Sequence, residues 1–256
     1  MKKMLFTVAI CLLTLGLNAQ ENMNILLGDQ QVVAPKFIGE KLESEPLKPA
    51  TNQSAICCYL QEHLPSDIRI NANNAEGTVA IEFTVNKDGS LSGFIVANHV
   101  SYELDESVID CIKQTEGMWK PGETNGIPTA MEKRVYVKFD APGNPSFESI
   151  TKGLYFSAIR KHNKAGYVQN NKLIDTDKQI KKTQRLYRQS LANLERATVY
   201  MPNDPTLAYW KTVSYENLGR HKEMIDMLER RQELLSMHLD EQNLNDFHDL
   251  VTINTK

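Results

Sequence analysis

The sequence predicts an α+β fold: a small antiparallel sheet with helices packed on it, followed by an all-α module. Three patterns carry that prediction. Val79, Ile81, Phe83 and Val85 alternate with Ala80, Glu82, Thr84 and Asn86, the period of a strand with one buried face. Val135, Val137 and Phe139 alternate likewise with Arg134, Tyr136 and Lys138. Residues 147–239 abandon this period for charged, amphipathic stretches of helical spacing.

The chain opens with Met1-Lys2-Lys3, an apolar run over residues 4–17, and then Asn18-Ala19-Gln20. Charged, apolar and small residues in that order read as a secretory signal, so residues 1–19 are expected to be removed by cleavage after Ala19. A retained inner-membrane anchor is the alternative. A helix over residues 4–17 would cover only about 21 Å, against a hydrocarbon core of about 30 Å. Cys11 follows Ile10 and lies inside the apolar run, which argues against lipid attachment there. At 41% hydrophobic and 24% charged residues, the chain can bury one or two ordinary cores. Its net charge of −3 argues against general nucleic-acid binding.

Residues 20–54 are mostly polar and contain Pro35, Pro46 and Pro49, which reads as an extended linker without a core of its own. Residues 55–140 form the α+β domain. After the strand at 79–85, Asp88-Gly89 supplies the positive-φ residue of a tight hairpin, and the chain returns through Leu91, Phe94, Ile95 and Val96. Leu104, Val108, Ile109 and Ile112 then recur at helical spacing behind Asp105-Glu106, acidic residues suited to a helix's first turn. Pro121-Gly122 and Asn125-Gly126 turn the chain twice before the last strand, at residues 134–139. Trp119 reads as a large core residue.

Beyond the signal, the cysteines are the adjacent Cys57 and Cys58 and the distant Cys111. In an oxidising compartment one reading is a single bridge from the pair to Cys111, with Cys58 and Cys111 the candidate disulfide. Closing a loop of that length stabilises by roughly 3–4 kcal/mol. Three buried, reduced thiols are the other reading. The spacing is not that of a zinc site, so no metal is expected.

In order along the α+β domain stand Gly77-Thr78-Val79, Phe83-Thr84-Val85-Asn86-Lys87-Asp88-Gly89-Ser90, Leu104-Asp105, Trp119-Lys120-Pro121-Gly122, Asn125-Gly126-Ile127-Pro128 and Val135-Tyr136-Val137-Lys138-Phe139. This series resembles the TonB C-terminal domain, and Pro35-Lys36-Phe37-Ile38-Gly39-Glu40 resembles a segment that often precedes it. The chain departs from the family pattern at residues 64–69, where a Pro-x-x-Ala stretch usually opens a helix. The resemblance implies a periplasmic binding domain that captures an extended peptide of an outer-membrane receptor or other envelope protein as an added strand. By resemblance the capturing edge is the last strand, Arg134, Val135, Tyr136, Val137 and Lys138. Its basic and aromatic face would suit an acidic or polar peptide. The alternative is that these residues merely blunt the edge against aggregation.

Residues 147–239 can be laid onto a tetratricopeptide repeat: Tyr187 and His221 stand one repeat apart, while Ala197, Pro202 and Gly219 fall where small, helix-ending and turn residues are wanted. A plain helical bundle is the alternative. A module of this kind offers a place for a second protein partner. Residues 240–256 read as a polar tail that frays. Arg230-Arg231 reads as part of a solvated helix face.

No metalloprotease, hydrolase, phosphate-loop or dinucleotide motif is present, and His63, His99, His162, His221, His238 and His248 lack ligand spacing. The expectation is a binding protein rather than an enzyme, with no cofactor. It acts as an exported adaptor linked to transmembrane transport, with a membrane-anchored transducer or a structural envelope protein as alternatives.

Overall fold

The computed structural model describes residues 31–39, 55–65, 67–68, 73–141, 143–171, 175–239 and 248–254. The expected signal at 1–19 and most of the expected linker lie outside them. The described chain begins with two short strands, β1 (Val32–Val33) and β2 (Lys36–Phe37), and helix α1 (Ala55–His63). Strands β3 (Gly77–Val85) and β4 (Leu91–Asn98) follow, then α2 (Tyr102–Lys113), β5 (Trp119–Lys120), β6 (Gly122–Thr124), β7 (Ile127–Thr129) and β8 (Met131–Asp140). The helical module is α3 (Phe147–Gln169), α4 (Thr176–Tyr200), α5 (Pro205–Asn217) and α6 (His221–Leu239), and a last strand, β9 (His248–Asn254), returns to the sheet.

Local chemistry explains the strongest elements. At the β3–β4 turn Gly89 takes φ +81°, its N–H bonding Asn86 O at 2.9 Å while Asn86 N–H bonds Ser90 O at 2.8 Å. Ser101 caps α2 by accepting from Leu104 N–H at 3.3 Å, with Glu103 and Asp105 in the positive first turn. Asn125 and Gly126 both adopt positive φ, 54° and 77°, as the tight β6–β7 hairpin demands.

The main sheet has the order β4-β3-β8-β9. Its inner face carries Val79, Ile81, Phe83, Val85, Val135, Val137 and Phe139, which form one core with Ile56, Cys57 and Leu60 of α1 and Leu104, Val108 and Ile112 of α2. Trp119 belongs to that core, its indole N–H donating to Thr115 Oγ1 at 2.8 Å and its ring tilted against Phe37 at 5.3 Å.

Three sequence expectations need correction. The linker contributes to the fold, since β1 pairs with β6, β2 pairs with β5, and Phe37 is buried against Trp119 and Tyr59. The tail does not simply fray, since His248–Asn254 forms β9 along β8. The candidate Cys58–Cys111 disulfide is not formed: both are thiols, and Cys111 and the neighbouring Cys57 are buried among apolar side chains. Burial pushes the Cys111 thiol up to about 11, so it is an inert core residue at neutral pH.

Helices α3 to α6 pack as successive neighbours. Ala158 of α3, Leu194 and Ala197 of α4 and Leu207 of α5 share a core. The small residues allow close approach, and Ser190 Oγ donates to Ala158 O across α3 and α4 at 2.9 Å. Gly219, at φ +70°, turns α5 into α6.

Candidate functional site

The residues expected to present a peptide-binding surface lie on β8, and the structure gives them a different environment. Val135 and Val137 are fully buried in the inner core, as alternation predicts. Arg134, Tyr136 and Lys138 point to the opposite face, but that face is covered by the helical module. Tyr136 is only 2% exposed. Its hydroxyl accepts from Arg230 Nη2 at 3.2 Å, and the same nitrogen donates to Asn203 Oδ1 at 3.1 Å. Arg134 donates from Nε to Glu82 Oε2 of β3 at 2.9 Å and from Nη1 to Glu233 Oε1 of α6 at 3.2 Å. Lys138 pairs with Asp140 at 3.0 Å and lies over the Phe147 ring of α3, 4.4 Å from its centroid. Burial works against the Arg134 charge, but Tyr136, Glu82 and Glu233 together hold its pKa above the ordinary value.

The sheet is therefore the middle layer of three. On its outer face Thr78 Oγ1 donates to Tyr200 O at 2.8 Å, and Asn98 Nδ2 donates to Thr78 O at 2.6 Å and Val199 O at 3.3 Å. Gly77 allows this approach, because a Cβ there would lie 2.8 Å from Val199 Cγ1. A cavity of about 210 Å³ remains between sheet and helices, lined in part by Arg134, Tyr136, Lys211, Arg230 and Leu234. Burial lowers the Lys211 pKa there, against the pull of Glu195.

Arg230 is the residue that sequence reasoning missed. Read as part of a solvated helix face, it is instead a partly buried hub joining Tyr136, Asn203 and Glu233, the last at 2.6 Å. No local signal marks this, because Tyr136 lies 94 residues away.

The expected exposed edge also changes. β8 pairs antiparallel with β3 along one side and parallel with β9 along the other, from Arg134 opposite His248 to Asp140 opposite Asn254. It is an interior strand. The outer strands of the sheet are β9 and β4. β4 exposes Ile95 and Val96, but its pairing with β3 has two register irregularities, a feature that twists an edge away from further pairing. What the arrangement offers chemically is main-chain hydrogen bonding along the β8 side that β9 occupies.

Among the described residues, no group of three or more His, Cys, Asp and Glu residues is placed to hold a metal ion, and no helix is long and apolar enough to cross a membrane. His99 Nδ1 instead contacts the Asp105 carboxylate of α2.

The fold is an α+β domain with a helical module attached. Residues 69–141 of the 256 match the family described as Gram-negative bacterial TonB protein C-terminal. The similarity to a TonB C-terminal domain is confined to these residues and leaves α3 to α6 and β9 outside it. Neither a curated protein nor a solved structure matches the chain.

Proposed function

We propose that this protein is an exported, periplasmic adaptor that captures an extended segment of an envelope partner, such as an outer-membrane receptor, by strand addition at β8 in the service of transmembrane transport. The observation that carries the reading is the pairing of β8, whose side away from β3 takes a parallel strand over seven residues. Strand addition of this kind draws affinity from the main chain and selectivity from alternate side chains. The family match at residues 69–141 supports an envelope setting, and the apolar run at residues 4–17 supports export.

The reading revises the part played by individual residues. Arg134, Tyr136 and Lys138 hold the helical module against the sheet, and recognition falls to the β8 backbone. The protein acts by binding rather than catalysis and carries no cofactor. Helices α5 and α6, joined at Gly219, are a tetratricopeptide-like pair in this reading and offer a place for a second protein partner.

Two measurements test it. Mass spectrometry of protein from its native envelope should find Gln20 as the first residue; an intact Met1 would contradict release into the periplasm and favour an anchored transducer. Isothermal titration with periplasm-facing segments of outer-membrane receptors should show binding that is lost when a proline interrupts the segment. Absence of binding by every such segment would defeat the capture reading.

A further inference from the structure

β9 differs from the other strands of its sheet in the sense of its pairing and in origin. Every other pairing in the four-stranded sheet is antiparallel, whereas β9 runs parallel to β8. The described core of the domain is drawn from Phe37 to Phe139, and β9 arrives from beyond the helical module. Both faces of β8 are covered, by α1 and α2 within and by the helical module without. Its remaining side is a row of backbone donors and acceptors that needs a strand, and the far end of the same chain supplies one.

We propose that the β8 edge is a docking slot for a parallel strand and that His248–Asn254 is its resident occupant, which an incoming segment must displace. The inference rests on the reading of the domain as a strand-capturing module and adds to it a built-in competitor. β9 serves as a template for the competing ligand: a proline-free extended segment of about the same length, apolar at its centre as at Leu250, Val251 and Ile253, and without basic residues apart from histidine. Parallel pairing is slightly weaker per residue than antiparallel pairing, so β9 is the strand of this sheet most readily exchanged. A tethered occupant competes at an effective concentration in the roughly millimolar range, so it suppresses weak free segments while yielding to tight ones.

The test uses the full chain and a synthetic peptide of the β9 sequence, His-Asp-Leu-Val-Thr-Ile-Asn, as the probe. Val251→Pro removes an N–H from the middle of β9 and should free the slot. In fluorescence anisotropy this variant is expected to bind the probe at least about tenfold more tightly than the unsubstituted chain, because the tethered competitor is gone. Equal binding by both chains, or none by either, overturns the proposal.

A second comparison stands even if that variant folds poorly. Lys138 and Thr252 are register partners, so Lys138→Cys with Thr252→Cys allows β9 to be locked by oxidation and released by reduction. The probe should bind the reduced form and not the oxidised one, and identical binding in the two states overturns the proposal. If the freed slot binds the probe but no receptor-derived segment, the slot stands and receptor capture falls. If receptor segments bind the intact and Val251→Pro chains equally, capture survives and the competitor falls.

Discussion

Arg134 shows how far a residue's neighbours can lie from its sequence context. Alternation correctly places it opposite Val135, on the face away from the inner core. A charged residue on that face suggests solvent, yet Arg134 meets Glu82 on the next strand and Glu233 on α6. Arg134→Ala would leave both carboxylates without this partner in a partly buried setting. The expected loss is about 2–3 kcal/mol of unfolding free energy, read from urea denaturation. A loss within the roughly 0.5 kcal/mol typical of surface changes would contradict the interface. His162 gives a second residue-level prediction. Its ring sits edge-on to Tyr187 at 5.1 Å and to Trp210 at 5.2 Å, and burial lowers its pKa. The folded chain therefore prefers the neutral ring, while the unfolded chain takes up a proton near the ordinary value of 6.5. Stability should begin to fall as pH drops through that value and continue to fall until the lower folded value is passed. Thermal midpoints from pH 7.5 to 5 should show the decline, and His162→Phe should flatten it. The carboxylates with lowered pKa, Asp88, Glu148 and Glu223, act at lower pH, below their ordinary values.

Elements whose reasons are local were legible in the sequence. The β3–β4 hairpin follows from alternation and from Asp88-Gly89, and α2 follows from its apolar spacing and acidic first turn. The β3–β4 turn is also specific in space. Gly89 has φ +81°, and a Cβ there would stand 2.5 Å from Trp119 O, a fixed backbone atom. Gly89→Ala should cost about 1–3 kcal/mol in denaturant unfolding, the magnitude of a forced left-handed residue, with the collision adding to it. A neutral effect would mean that the turn is looser than described. Elements whose reasons are distant were not legible. β1 and β2 are two residues each, too short for a period to register, and they exist because β5 and β6 offer partners. β9 is a short apolar run near the end of a polar tail, and only the available side of β8 makes it a strand. The cysteine spacing allowed a bridge, but the fold uses Cys57 and Cys111 as small apolar residues.

Across the whole molecule, the same division separates the fold class from the site. A period of two followed by a helical period predicted an α+β domain and a helical module, and the structure has both in that order. That the helical module would cover the outer face of the sheet was not readable, because the contacts join residues roughly a hundred positions apart, such as Asn98 with Val199. The candidate site changes character as a result. A charged outer face with an open edge becomes a sandwiched strand whose second side is filled by β9. The docked module also explains why Ala80 and Thr78, unremarkable in sequence, are buried at 1% and 5% exposure. The central claim is that β8 is closed on both faces and both sides by its own chain. Amide hydrogen exchange of residues 134–140, the stretch of β8 paired with β9, tests this most directly in the intact protein. If the account holds, the β8 amides that do not bond to β3 are protected as well, and Val251→Pro lifts that protection selectively. Rapid exchange of those amides in the unsubstituted chain would contradict it, leaving β8 an open edge.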